Sequence, residues 1–264
     1  MSTENLSLQQ RIWNAASSQQ VEKLHGIHNY LHARAHQGEE FSTIWSRSDN
    51  TSWGHSFGRM RGFKEIWYDS VTIYDALAYE NYLSLYDIFP EIGGKDPRPM
   101  MELSMHTLVN GVIEVAEDGK SARASFITPG ILYDRVNMEM KKSCMNFWER
   151  YGSDFVCENG TWLYLHEQVC PDFGMPLDMG NAAANSYNQL KNPPKGGMPP
   201  RPAGRKEMIV LADPVPPHTM YSMTTPIQNT VPCPEPYKTM DNNNTFAPFI
   251  TEPEQDDYSP FIDD

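Results

Sequence analysis

The chain has 264 residues, 34 of them acidic and 21 basic, for a net charge of -13. That length builds one large domain or two small ones. A general phosphate-backbone binder is expected to be basic, so this balance argues against nucleic acid as a partner. No stretch reaches 18 apolar residues, and the start, MSTENLSLQQRIW, carries no apolar signal core; no membrane span or secretory leader is expected.

Composition divides the chain. Fifteen of the 21 prolines lie in residues 193–264, whereas all six tryptophans precede residue 163. The reading is a body over residues 1–172 and an extended proline-rich arm over 173–264. Residues 251–264 hold six carboxylates and no Lys or Arg, an acidic tail for which disorder is expected. Tyr187, Tyr221, Tyr237, Phe246 and Phe249 space aromatic side chains along the arm, which suits packing on the body or on a neighbouring subunit. The four cysteines, Cys144, Cys157, Cys170 and Cys233, form no CxxC pair; a reduced, cytoplasmic protein is the expectation.

Residues 6–36 read as a helix: Val21, Leu24, Ile27, Leu31 and Ala35 repeat at three- and four-residue spacing, and Gly38 marks a stop. Phe41, Ile44 and Trp45 predict a short second helix, residues 51–58 a strand or loop, and Phe63 to about Leu85 a further helix. Residues 101–116 read as one long strand, Glu117-Asp118-Gly119-Lys120 as a hairpin turn, and 121–128 as its return, broken at Pro129-Gly130. Residues 143–157 and 161–169 make a second hairpin about Asn159-Gly160, stopped by Pro171. Lys206–Ala212 is one more strand candidate. Helices followed by an antiparallel meander of four strands predict α+β packing, with helices on one face of a curved sheet enclosing a pocket.

Three segments carry a resemblance: HNYLHARAHQGEEFSTIW in the first helices, the strand pair HTLVNGVIEVAEDGKSARASF, and the hairpin WERYGSDFVCENGTWLYLHEQV. Over roughly residues 10–172 the layout resembles the SnoaL-like branch of the nuclear transport factor 2-like superfamily. The resemblance implies a cone-shaped α+β barrel with an apolar pocket, joined into dimers or trimers through its open sheet face. It also implies cofactor-free proton transfer on hydrophobic ring compounds, as in scytalone dehydratase, bile-acid dehydratase, ketosteroid isomerase, polyketide cyclases and diarylpropane formaldehyde-lyases. Other members only bind, and fold alone does not settle function.

Proton transfer near neutrality calls for an acid and a base in a dry pocket, a task that suits histidine. His106 is the foremost candidate. It reads in phase with Ser104, Leu108, Asn110, Val112 and Glu114, and the dehydratases of the superfamily place a catalytic histidine near this point. The alternative is a buried histidine or one in a subunit contact. His166, in phase with Trp162, Tyr164 and Gln168, is a second acid/base or an interface residue. Tyr30 resembles a first-helix tyrosine that orients substrate in several dehydratases. The aspartate that often follows it is missing, and Asp49 or His55 could replace it.

Arg150 and Asp154 are in phase, as a buried pair or as contacts for a phenolate or carboxylate. Trp45, Trp53 and Phe57 are core residues of which some could line a pocket for flat rings, with Asn110 beside them. His25, His28, His32 and His36 read as a polar helix edge rather than metal ligands. Nucleotide and serine-hydrolase motifs are missing, so no cofactor is expected. These readings converge on a lyase that dehydrates or deformylates an aromatic hydroxylated molecule. The alternatives are a binding module without turnover and an isomerase with Glu102 or Asp154 as its base.

Overall fold

The computed structural model describes residues 6–55, 58–86, 90–94, 102–107, 109–134, 143–176, 215, 218–222 and 224–247. Helix α1 (Leu8–Ala33) starts at a capping box in which Ser7 and Gln10 satisfy each other's backbone donors. It stops earlier than Gly38. The Ala35 amide reaches the His32 carbonyl and the His36 amide the Leu31 carbonyl, with Ala35 in the left-handed region at φ 55°. That closure normally takes glycine, and an alanine there costs about 1 kcal/mol. Helix α2 (Gln37–Ile44) follows at once.

A hairpin of β1 (Ser52–His55) and β2 (Gly58–Arg61) leads into α3 (Phe63–Trp67), a π-helical turn (Tyr68–Ile73) and α4 (Tyr74–Tyr86). The expected single helix is therefore interrupted. Five further strands follow: β3 (Glu102–His106), β4 (Val109–Val115), β5 (Ser121–Asp134), β6 (Ser143–Glu158) and β7 (Thr161–Pro176). Their order is β2-β1-β7-β6-β5-β3, with β4 also on β5. The architecture is the expected α+β one, a helical cover on a curved sheet. The sheet is antiparallel except where β1 runs parallel to β7, Ser52 opposite His166.

Three strand boundaries differ from expectation, each for a local reason. The long strand splits at Thr107, and the ladder shifts between Val109 and Val112. β5 runs straight through Pro129-Gly130. The Pro129 carbonyl accepts from Thr107, so its missing donor faces the gap between β3 and β4 and costs no bond to β6. A side chain on Gly130 would meet the Met105 carbonyl and the Phe147 ring, so glycine is what lets the strands close up. β7 likewise passes Pro171, where its ladder with β6 shifts, and extends beyond the boundary drawn at 172. The hairpin at Asn159-Gly160 forms as expected, both residues having positive φ.

The core lies between α1, α2 and the concave sheet face: Val21, Leu24, Phe41, Ile44, Ile66, Phe126, Phe155 and Tyr164 are buried together. Each such apolar side chain contributes about 1.5–3 kcal/mol on burial. Part of the convex face is covered by residues 232–246 of the chain's own arm. Ser125 donates to the Pro232 carbonyl at 2.6 Å, and Glu117 and Asp118 amides donate to the carbonyls of Tyr237 and Lys238. Phe246 lies over Gly152, where a β-carbon would clash with its ring, and the Arg123 guanidinium stacks on that ring at 4.5 Å. Lys206–Ala212 and the acidic tail lie outside the described residues. No described helix is long and apolar enough to cross a membrane.

Candidate active site

A cavity of about 550 Å³ opens between the helical cover and the concave sheet face. Aromatic side chains from both layers line it, among them Phe41, Trp53, Tyr74, Phe147 and Phe173. His106 reaches it from the end of β3, and Glu149 and Tyr151 reach it from β6, where alternation puts both on the inner face.

These three form one network. Tyr151 donates its hydroxyl to Glu149 Oε2 at 3.1 Å, and His106 Nδ1 lies 3.1 Å from the phenol oxygen and 3.4 Å from Glu149 Oε2. With the phenol proton on Glu149, Nδ1 carries its own proton and Nε2 keeps the lone pair. Nε2 lies 3.0 Å from Ser104 Oγ, which is also 3.3 Å from His32 Nε2. The single hydroxyl proton serves His106 Nε2, so His32 Nε2 carries its own proton and donates to the same oxygen. Burial alone would raise the Glu149 carboxyl, but hydrogen bonds from His106 and His55 hold it down at about 2. Burial, with His106 and His28 nearby, pushes His32 well below the ordinary imidazole value, so it stays neutral.

Beneath this network lies a second polar layer that sequence reasoning misplaced. His25, His28 and His32 were expected on a polar helix edge, yet they face the sheet. His25 stacks on Phe126 at 3.8 Å and meets the Tyr164 hydroxyl at 2.7 Å. His28 Nδ1 is 2.7 Å from Glu40, which also accepts from Trp45. Burial opposes charge on His28, but Glu40 and Glu167 outweigh it and raise it to about 9. A signal existed: with Val21, these three continue a four-three-four spacing down one helix face. Glu167 was missed as well. It accepts from Trp53 and Ser153, and burial, against the pull of His28, pushes its carboxyl up to about 7.

The sequence-derived candidates separate cleanly. His106, His55 and Trp53 line the cavity; His55 Nε2 lies 3.7 Å from Glu149. His166 does not. A ladder shift after Asp154 places an extra residue, Leu165, in β7, so the phase set by Trp162 and Tyr164 passes to Glu167. His166 turns to the convex face, fully buried against Asp154 at 3.0 Å, Thr245 at 2.9 Å and the Asn50 carbonyl at 2.7 Å. The β4 shift does the same to Glu114, which pairs across from Arg123 on the convex face, away from His106.

Arg150 is not paired with Asp154. It binds Asp172 at 2.8 Å on the convex face, while Asp154 meets Arg123 at 3.5 Å. Tyr30 is 78% exposed and points away from the cavity, and Asp49 is an exposed turn residue. Trp45 is core, stacked on Tyr164 at 5.0 Å. Phe57 and the side chains of Asn110 and Glu102 lie outside the described residues. Among the described residues, no group of three His, Cys, Asp or Glu is arranged to hold a metal.

No protein-family model matches the chain, and no curated protein does. Solved structures do. The hexachlorocyclohexane dehydrochlorinase LinA-type3 from Novosphingobium barchaimii is 13% identical, with a TM-score of 0.43 over 66% of this chain and 97% of that one. A nuclear transport factor 2-like superfamily protein from Salmonella enterica is 18% identical, with a TM-score of 0.39 over 62% of this chain and 96% of that one. A nuclear transport factor 2-like protein with a cystatin-like fold from Novosphingobium aromaticivorans is 12% identical, with a TM-score of 0.38 over 70% and 96%. Two of these three solved structures are described as nuclear transport factor 2-like proteins.

Proposed function

We propose that this chain is a cofactor-independent lyase that acts on a hydrophobic, aromatic, hydroxylated small molecule. One observation carries the reading: an imidazole braced by a carboxylate and a phenol, His106 with Glu149 and Tyr151, stands in a cavity walled by aromatic rings. The volume fits a ring compound. Ionised Glu149 fixes the ring by its Nδ1 proton and stabilises the imidazolium that forms when Nε2 takes a proton.

Two reactions use that geometry. In dehydration, His106 takes a proton from the carbon beside an electron-withdrawing group, the electron pair forms the double bond, the C–O bond breaks with its pair on oxygen, and an acid of the site, the imidazolium or a second group, protonates that oxygen so that water leaves. In retro-aldol deformylation, His106 takes a hydroxyl proton, the oxygen's pair forms the C=O of formaldehyde, the carbon–carbon bond breaks with its pair on the remaining carbon, and that carbon takes the proton back from the imidazolium. Incubating the protein with aryl diols and β-hydroxy ketones, followed by mass spectrometry, tests the reading. Loss of the mass of water or of formaldehyde, abolished in His106→Ala, is the expected result. Tight binding of a panel member without mass change would replace the lyase with a binding module.

A further inference from the structure

We propose that Asp69 is the second proton-transfer group of this cavity: the acid that protonates the departing oxygen while His106 acts as base. The proposal rests on the lyase reading and adds a residue that the sequence did not single out.

Its placement comes from an irregularity. Between α3 and α4 the helix widens into the π-helical turn Tyr68–Ile73. Closure from residue i to i+5 brings Asp69 and Tyr74, five apart, to one side, and both line the cavity with Ser70 and Ile73. Asp69 therefore enters from the helical cover, whereas His106 and Glu149 enter from the sheet, and a ligand between the layers meets both.

Its chemistry differs from that of the other cavity carboxylates. Glu149 is held by Tyr151, His106 and His55, and Glu167 by Trp53 and Ser153. No donor among the described residues reaches Asp69, a half-buried side chain. Burial alone pushes its carboxyl up to about 6, so it carries a proton at a pH where an ordinary aspartate has lost it. Asp49, expected to supply the site's aspartate, is exposed, and Asp154 is sealed on the convex face.

In dehydration the step balances as follows. The C–H proton passes to His106 Nε2 and its electron pair forms the C=C bond. The C–O bond breaks with its pair on oxygen, and the Asp69 proton completes the water. Imidazolium and carboxylate remain, and a proton relayed through that water restores both.

The test uses the full chain. Carbon-13 NMR of aspartate-labelled protein should show one carboxyl titrating near pH 6 that vanishes in Asp69→Asn. A spectrum with every aspartate in the ordinary range overturns the proposal and leaves the reading of His106 untouched. Elimination is then followed with a β-hydroxy-β-phenyl ketone and its β-acetoxy counterpart, whose leaving group needs little acid. Asp69→Asn should slow the hydroxyl compound about a hundredfold and the acetate less than about threefold, whereas His106→Ala should slow both. Equal loss on both compounds, or loss on neither, overturns the acid's role. A wild-type chain that eliminates neither overturns the lyase reading on which that role rests.

Discussion

The sheet carries the same pair of groups on each face. On the concave face His106 stands beside Glu149, and on the convex face His166 stands beside Asp154. Their surroundings differ. His106 borders a cavity and offers Nε2 to a serine hydroxyl that a neighbouring histidine shares. His166 has both nitrogens engaged within the protein, by the Asp154–Thr245 pair and by a backbone carbonyl. Asp154 Oδ2 also accepts from the Thr245 hydroxyl and the Phe246 amide. The same two functional groups make a candidate catalyst where a ligand can enter and a clasp where the chain has closed over them. Access to the pair, more than the pair itself, separates chemistry from structure.

The sharpest way to break the comparison is to remove each imidazole. His106→Ala should cut turnover by about a hundredfold or more and cost less stability than loss of His166, because Tyr151 and His55 still hold the Glu149 carboxylate. His166→Ala should cost about 3–5 kcal/mol of stability, because it strips a partner from a fully buried carboxylate, and should spare kcat in the molecules still folded. Lost activity at unchanged stability in the His166 variant would reverse the assignment of the two faces.

Releasing the arm is a smaller perturbation. Phe246→Ala removes the ring over Gly152 and the stacking of Arg123, and should destabilise by about 1–2 kcal/mol in urea melts. Hydrogen exchange should rise at the amides of β6 around Gly152 and stay unchanged at α1; protection unaltered at both would mean that this contact does not hold the arm.

A third test concerns pH. His28 is raised from 6.5 to about 9 beside Glu40, so the stability it contributes is complete below pH 6.5 and is lost as pH rises through 9. The difference in unfolding free energy between wild type and Glu40→Gln should shrink over that window; a difference constant with pH would show that the pair carries no such charge. The smallest effect is expected at Tyr30. Its side chain is exposed, and Tyr30→Phe should leave turnover intact and stability within about 0.5 kcal/mol.

Periodicity and turn chemistry made much of the fold legible. The apolar stripe of α1 and the Asn159-Gly160 turn are local signals, and the structure keeps both. The candidate site was legible only where strands kept phase. Leu165 adds one residue to β7, and counting by twos from Trp162 then selects His166 where the structure selects Glu167. The same slip in β4 separated Glu114 from His106. Nothing in single-residue preferences marks either shift, because each is set by how two strands meet. Tyr151 and Glu149 were passed over because the phase that mattered on β6 was opposite to that of Arg150 and Asp154. The π-helical turn that brings Asp69 inward was read as ordinary helix, since its residues suit either spacing.

Met220 has a consequence for the order in which the site is completed. The rest of the cavity lining comes from residues 28–174, but this side chain joins it from a segment anchored on β7, where His218 binds the Pro171 carbonyl at 2.8 Å and the Tyr221 amide donates to the Asp172 carbonyl. During synthesis the barrel can close on its hydrophobic core well before that segment leaves the ribosome. The nascent protein thus passes through a stage in which His106, Glu149 and Tyr151 can meet while the cavity still lacks this one wall residue. The cavity wall is completed last, from the C-terminal part of the chain.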